Sequence, residues 1–223
     1  TFLTTAVLQA LGLGGGTYND VKQLNLNKQQ EAEAQSWISE AENIIKNGIK
    51  LQHGKPKVDF GQGFYTTPSF NFAKSTAINK AKKTNSYYNS TYVEPYVLTY
   101  NFDEIKAKEK CNILCFSDVD VKWAQFIVNN RNGFEYMNCI GSKFHNIKHN
   151  FDIVQGAIAD KEIVLLAKTL NNLKKKVKEE DVNNILYDYM TKQISFHTYE
   201  SLEYLQLTRC DIIREKKGDV ANG

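Results

Sequence analysis

Two hydrophobic periods interleave along this chain, and their order limits the folds open to it. Tyr96, Leu98, Tyr100 and Phe102 recur at every second residue. That places them on one face of a half-buried strand over residues 92–102. Ala34, Trp37, Ile38, Ala41, Ile44 and Ile45 recur instead at helical spacing, and Gly48 follows where a C-terminal cap belongs. Further helices are expected from Pro68 onward, with Phe72, Ala73, Ala77 and Ala81 turned inward, and over residues 122–130 and 161–173. Asp160 is placed to cap the helix over 161–173. Val182, Ile185, Leu186 and Tyr189 mark another helix, and Thr198 caps a last one containing Leu202 and Leu205. An early helix is expected over residues 4–11, ended by the glycines at 14–16, which cannot continue it cheaply.

Short strands are expected over residues 112–116, 151–158 and 193–197. Residues 58–60 and 63–67 form either a strand pair or one strand with a glycine kink. Residues 82–90 and 133–150 are rich in Lys and Asn. They read as polar loops and as surfaces for partner contact. Strands and helices do not follow one another as a regular βαβ series, so the fold class expected is α+β. No repeat occurs at a period of 20–50 residues.

Composition excludes several functional classes. With 42% hydrophobic and 24% charged residues the chain is too apolar to stay disordered. Lys and Arg number 28 against 25 Asp and Glu, a net charge of +3. That lacks the basic excess of a dedicated nucleic-acid binder. No apolar run approaches the roughly 18–20 residues needed to cross a bilayer, so no membrane insertion is expected. The apolar start over residues 1–13 has no basic flank and reads as a chain boundary, not as a secretory signal. Cys111, Cys115, Cys139 and Cys210 show no zinc-site spacing and read as free thiols of a reducing, cytoplasmic setting.

The densest chemical signal is residues 59–67, DFGQGFYTT. Two glycines two apart, followed by two aromatics, mark a strand that something approaches closely. A β-bulge in a core strand is the competing reading. The third glycine of a dinucleotide fingerprint is missing, and no Gly-Lys-Ser/Thr follows for a phosphate loop. His145 and His149 stand four apart in a polar segment with no third ligand nearby, which favours a solvated loop over a metal pair. His197 lies on the strand of Gln193 as a supporting residue. Trp123 and Arg131 read as fold-holding residues, with Arg131 paired to a buried carboxylate.

Four segments occur in a telling order: DFGQGFYTT (59–67), WAQFIVNNR (123–131), DIVQGAIAD (152–160) and QISFHT (193–198). Between the first two lies Lys74-Ser75-Thr76-Ala77. This series resembles a bacterial family catalogued as a domain of unknown function, itself similar to the ADP-ribosyltransferase superfamily. The branch it is nearest includes diphtheria toxin and the poly-ADP-ribose polymerases. The resemblance covers about residues 44–208, leaving 1–43 as an N-terminal helical, Gly-rich part and 209–223 as a tail. It implies a split β-sheet core with peripheral helices.

The resemblance also implies an activity. The chain would be an NAD-dependent mono-ADP-ribosyltransferase, a bacterial toxin or effector module consuming NAD as substrate. Tyr65 matches the tyrosine whose ring stacks on nicotinamide, within a surround formed by Gly61, Gly63 and Phe64. Ser75 lies in the helix that backs the pocket. Gln193 stands where the superfamily usually has its catalytic Glu. It can accept a hydrogen bond from a ribose hydroxyl but carries no charge. The branch also expects an early His-Gly-Ser/Thr turn. The nearest analogue is Gly14–Tyr18, with Gly16 and Thr17 as cofactor-binding residues and Gly15 where His would stand; His53-Gly54 is the other candidate. Thr191 stands where arginine-modifying relatives place a second Glu, which argues against arginine as acceptor. The implied acceptor is a macromolecule, a protein ahead of a nucleic acid, and toxin modules imply an immunity protein as partner. The setting is the cytoplasm, or a target cell's cytoplasm after secretion within a larger protein. Two alternatives stand beside the transferase: a catalytically inactive binding module of the same fold, and an NAD glycohydrolase.

Overall fold

The computed structural model describes residues 1–11, 40–87, 92–159, 161–183 and 191–213. In chain order the elements are β1 (Phe2–Leu11), α1 (Glu40–Asn47), a 3-10 turn (Leu51–His53), β2 (Phe64–Thr66), α2 (Phe70–Tyr87), β3 (Tyr92–Phe102) and α3 (Glu104–Lys110). Then follow β4 (Ile113–Cys115), α4 (Val121–Ile140), β5 (Ile153–Ala157), α5 (Lys161–Leu173), α6 (Glu179–Asn183), β6 (Lys192–Phe196), α7 (Tyr199–Leu202) and β7 (Leu205–Ile212). The fold is mixed α+β, as its interleaved periods require. The strands form two sheets, one ordered β1-β3-β7 and one ordered β2-β6-β5-β4. The described residues fall into two compact units. The first draws on residues 1–3, 49–69 and 100–206, the second on the rest.

The four-stranded sheet organises the first unit. β6 is antiparallel to both β2 and β5, and β4 is parallel to β5. Register sorts every side chain to one of two faces. Phe64 stands opposite Phe196, Phe196 opposite Ile153, and Ile153 opposite Ile113. These residues, with Ile194, pack against Leu3, Phe102 and Ala107 in one apolar cluster. The other face carries Tyr65, Ser195, Val154 and Leu114 in the same row. Tyr65, Val154 and Leu114 there join Phe60 and the buried stripe of α4, which includes Trp123, Phe126 and Ile127. α5 adds Ile163, Ala167 and Leu170 to that core. Thr198 caps α7 as the sequence suggests, accepting from the Ser201 amide at 3.3 Å, and the start of α4 is capped by Asp120, which accepts from the Trp123 amide at 2.8 Å.

The second unit has its own small core of Ala73, Ala77, Val97 and Ile213. Asn85 fastens α2 to β3 by bonding both ways with the Val93 backbone, at 2.7 and 3.0 Å. The Gly48 amide donates to Ile44 O at 3.0 Å, closing α1 where the cap was expected.

Several expectations are corrected. Residues 4–11 are strand, within β1, not helix. A short apolar run does not reveal its period, and the β-branched Thr4, Thr5 and Val7 favour the pleated form. Residues 58–60 form turns rather than a strand, and pairing is confined to Phe64–Thr66, as strand, and Thr67, as a single bridge. The inner row of α2 is Ala73, Ala77 and Ala81, spaced by four, while Phe72 faces outward. Residues 82–87 are helix, not loop, because the helix α2 continues to Tyr87, and 88–90 lie outside the described residues. Segment 133–150 is helical to Ile140, with a kink at Gly133 and with Tyr136, Met137 and Ile140 buried. Leu205 opens β7 instead of extending the last helix. Ala34, Trp37, Ile38, Asp160, Ile185, Leu186 and Tyr189 lie outside the described residues.

Candidate functional site

The site is built around the turn that precedes β2. The Gly61 amide donates to Val58 O at 3.2 Å, and Gly61 adopts φ +91°, a conformation that glycine enters without strain. Tyr65 then folds back over this turn. Its hydroxyl donates to Gly61 O at 2.8 Å and accepts from the Phe60 amide at 2.9 Å. The ring stacks beside Phe60, with centroids 6.4 Å apart, and meets the His197 ring edge-on at 6.3 Å. Burial, with the Asp59 carboxylate adding to it, raises the Tyr65 phenol far above its ordinary range. It is therefore a neutral hydrogen-bonding group and not an acid–base catalyst near neutral pH.

Gly63 is required by close approach. A Cβ there would lie 2.6 Å from His197 Nδ1 and 2.6 Å from Phe196 O. The room it leaves lets the His197 ring reach Gln62 O at 2.9 Å through Nδ1. A carbonyl only accepts, so Nδ1 carries the proton. Nε2 is then the acceptor for the Ser195 hydroxyl at 2.8 Å. Burial pushes the imidazole down to about 4, so the ring is neutral at physiological pH. Ser195 is 0% exposed. Ser195 and His197 thus brace each other along the β6 segment, which His197 ties to the turn before β2 and where Ser195 also lies 3.2 Å from Val154 O of β5, and the enclosed hydroxyl offers no nucleophile to a substrate.

That buried neutral histidine makes a testable contribution to stability. The folded state binds the proton less readily than the unfolded chain. The contribution is thus complete above the unfolded value of about 6.5 and is lost as pH falls through about 4. The loss is on the order of 3 kcal/mol. Urea unfolding at pH 7 and pH 4 should show it as an excess acid sensitivity of the unmodified chain over His197→Gln. Equal acid sensitivity in the two chains would contradict it.

Asp59 connects the two residues the sequence singles out. Its Oδ1 accepts from Arg131 Nε at 2.8 Å and pairs with Nη2 of the same guanidinium. Its Oδ2 accepts from Gln193 Nε2 at 3.1 Å. Its backbone carbonyl accepts from Asn130 Nδ2 at 3.2 Å, and Asn130 Oδ1 accepts from the Asn146 amide at 2.8 Å. Arg131 does pair with a buried carboxylate, as its position in α4 suggested, and that carboxylate is Asp59. Asn146 in turn clasps Phe151 through both its backbone groups, at 2.8 and 3.0 Å.

Tyr65 and Gln193 occupy the same sheet face. Tyr65 stands opposite Ser195, and Gln193 is two residues along β6 from Ser195. Gly61 and Gly63 bracket the turn beneath Tyr65. Phe64 points to the opposite face and packs edge-on against Tyr100 at 5.6 Å. Ser75 is exposed on α2 in the second unit. Gly16 and Thr17 lie outside the described residues. His53 is exposed in the 3-10 turn. His145 is buried and accepts from the Ile147 amide at 3.1 Å, whereas His149 is exposed; neither is helical. Among the described residues no group of three or more His, Cys, Asp or Glu side chains is arranged to hold a metal ion. None of their helices is long and apolar enough to cross a membrane.

The sequence reading missed Asp59 as the hub and Asn130 and Asn146 as its support. The available signal was an acidic residue two before a turn glycine, with an arginine directly after paired asparagines in a helix.

The chain is thus a mixed α+β protein with a buried polar cluster on one face of its four-stranded sheet. The chain belongs to the family described as "Protein of unknown function (DUF3990)", whose model matches residues 41–207. Comparison with curated proteins and with solved structures gave no match.

Proposed function

We propose that this chain is an NAD-dependent mono-ADP-ribosyltransferase module of the toxin or effector type. The observation that carries the reading is the antiparallel pairing of β2 with β6. It sets Tyr65 and Gln193 on one face, with Asp59 next to both. In this reading the Tyr65 ring lies against the nicotinamide ring, whose positive charge suits an aromatic face. Gln193 accepts a hydrogen bond from a hydroxyl of the adjoining ribose. The C1′–nitrogen bond breaks with its electron pair going to the nicotinamide. A lone pair of the acceptor forms the new bond to C1′, and the acceptor's proton leaves to solvent. The ribose carries positive charge as the bond breaks, as in glycoside cleavage. NAD is consumed. The small net charge, +3, favours a protein over a nucleic acid as acceptor. Cytoplasm, of the producing or of a target cell, is the setting proposed, with an immunity protein as cognate partner. The resemblance of the motif series to ADP-ribosyltransferases supports the same reading.

One observation favours a second reading, a binding module without catalysis. Gln193 Nε2 is already engaged by Asp59 and the Tyr65 hydroxyl by the glycine turn. Products separate the readings. Incubation with NAD and target-cell extract should release nicotinamide in step with ADP-ribose bound to macromolecules. Equal yields of nicotinamide and free ADP-ribose indicate a glycohydrolase. No nicotinamide at all rejects catalysis.

A further inference from the structure

Asp59 and Gln193 meet in a way that fixes more than their own contact. A carboxylate has no donor, so Gln193 presents its amino group to Asp59 Oδ2, at 3.1 Å. Arg131 holds the other carboxylate oxygen and prevents Asp59 from turning. Gln193 is only 7% exposed, and Ile194 and Ser195 after it on β6 are buried, so its amide has little room to flip. Its oxygen is therefore the end directed away from Asp59. A glutamate at the same position would offer no donor and would set a second carboxylate about 3 Å from the first.

We propose that Asp59, anchored by Arg131, is a positioning residue that sets the Gln193 amide with nitrogen inward and oxygen outward, and so selects glutamine over glutamate at position 193. The outward oxygen is the acceptor that the proposed transferase needs for a ribose hydroxyl, so the role rests on that reading. The inward contact can be tested without it. The ionisable groups that face position 193 are Asp59 and Arg131 from the turn and from α4, with Tyr65 on β2 and His197 at the end of the same row.

The test compares four chains: unmodified, Gln193→Glu, Asp59→Asn, and the double variant that exchanges the charge between the two positions. In Gln193→Glu the introduced carboxyl resists ionisation beside Asp59. Its folded-state value is raised, so stability is retained in acid and lost as pH rises. The folding constant relative to the unmodified chain should fall at least about ten-fold between pH 5 and pH 8. His197 titrates in every chain and cancels in this comparison. The double variant should recover the loss, because the amide at 59 now donates to the carboxylate at 193. A flat profile for Gln193→Glu, or a double variant no better than the sum of the singles, overturns the proposal.

A measurement on the unmodified chain guards against variants that do not fold. The Gln193 side-chain amide protons, assigned by their loss in Gln193→Ala, should exchange with solvent at least about ten-fold more slowly than those of an exposed glutamine. Exchange as fast as an exposed glutamine overturns the proposal equally. Nicotinamide release adds the readout a purely structural contact would not move: the double variant should exceed Asp59→Asn at least about ten-fold. Coupling and protection without nicotinamide release from any chain would reject the catalytic reading alone. Release without coupling would reject the positioning role alone.

Discussion

Arg131→Ala is expected to destabilise the first unit by about 3–5 kcal/mol, the cost of leaving one partner of a buried ion pair behind. The Asp59 side chain is 10% exposed and the Arg131 side chain 23% exposed. Water cannot replace the guanidinium well at a group so enclosed. The loss extends beyond the pair, since Asp59 also holds Gln193 through Oδ2 and Asn130 through its carbonyl. Arg131→Lys should recover only part of it, because an ammonium cannot supply the Nε and Nη2 donors together. Asp59→Asn combined with Arg131→Met should cost less than Arg131→Ala alone, since no unpaired charge remains. Urea denaturation of these chains measures all three. An Arg131→Ala chain within about 0.5 kcal/mol of the unmodified protein would mean that the pair is a solvated surface contact.

Gly63→Ala carries the second large effect, by a different mechanism. One of the two clashing atoms, Phe196 O, is backbone, and the other belongs to the His197 ring, which is held from both nitrogens. Neither can move away as a flexible side-chain end would. The added methyl must therefore push β2 from β6 or break the His197 bond to Gln62. Overpacking of this kind costs about 1–3 kcal/mol in a core, and the rigid neighbours place this site at or above the upper end. Gly61→Ala meets Asn146 O at 3.0 Å and a strained φ of +91°. It should be milder, because a loop carbonyl can give by a few tenths of an ångström. Thermal unfolding of both variants checks the order. Gly63→Ala equal to or milder than Gly61→Ala would contradict the packing described.

The two effects show what was legible in the residues. Strong alternation at 96, 98, 100 and 102 gave β3 its full span, and residues 161–173 gave α5 to the residue. Side-chain periodicity is visible where one face is apolar. Residues 4–11 lacked it, because a short apolar run fits both periods. The Asn- and Lys-rich segments misled for another reason. Composition reports polarity but not where a polar group is spent. Asn146, inside the second of those segments, is fully buried and bonds the Phe151 backbone with both ends of its amide. Tyr65 and Gln193 were found through motif order, while their shared neighbour Asp59 was not. Pairing across 134 residues depends on the register of β2 on β6, and no local pattern encodes that.

The central claim is that the face shared by Tyr65 and Gln193 cleaves NAD. The most direct measurement is nicotinamide release from NAD by the intact chain, beside Tyr65→Phe and Tyr65→Ala. The phenylalanine variant keeps the ring and loses only the bonds to Gly61 O and the Phe60 amide. The account predicts release by the unmodified chain, most of that rate in Tyr65→Phe while it remains folded, and a loss of about thirty-fold or more in Tyr65→Ala. That factor corresponds to the roughly 2 kcal/mol that a desolvated aromatic face contributes to a cation. No release by the intact chain, or release undiminished in Tyr65→Ala, would contradict it.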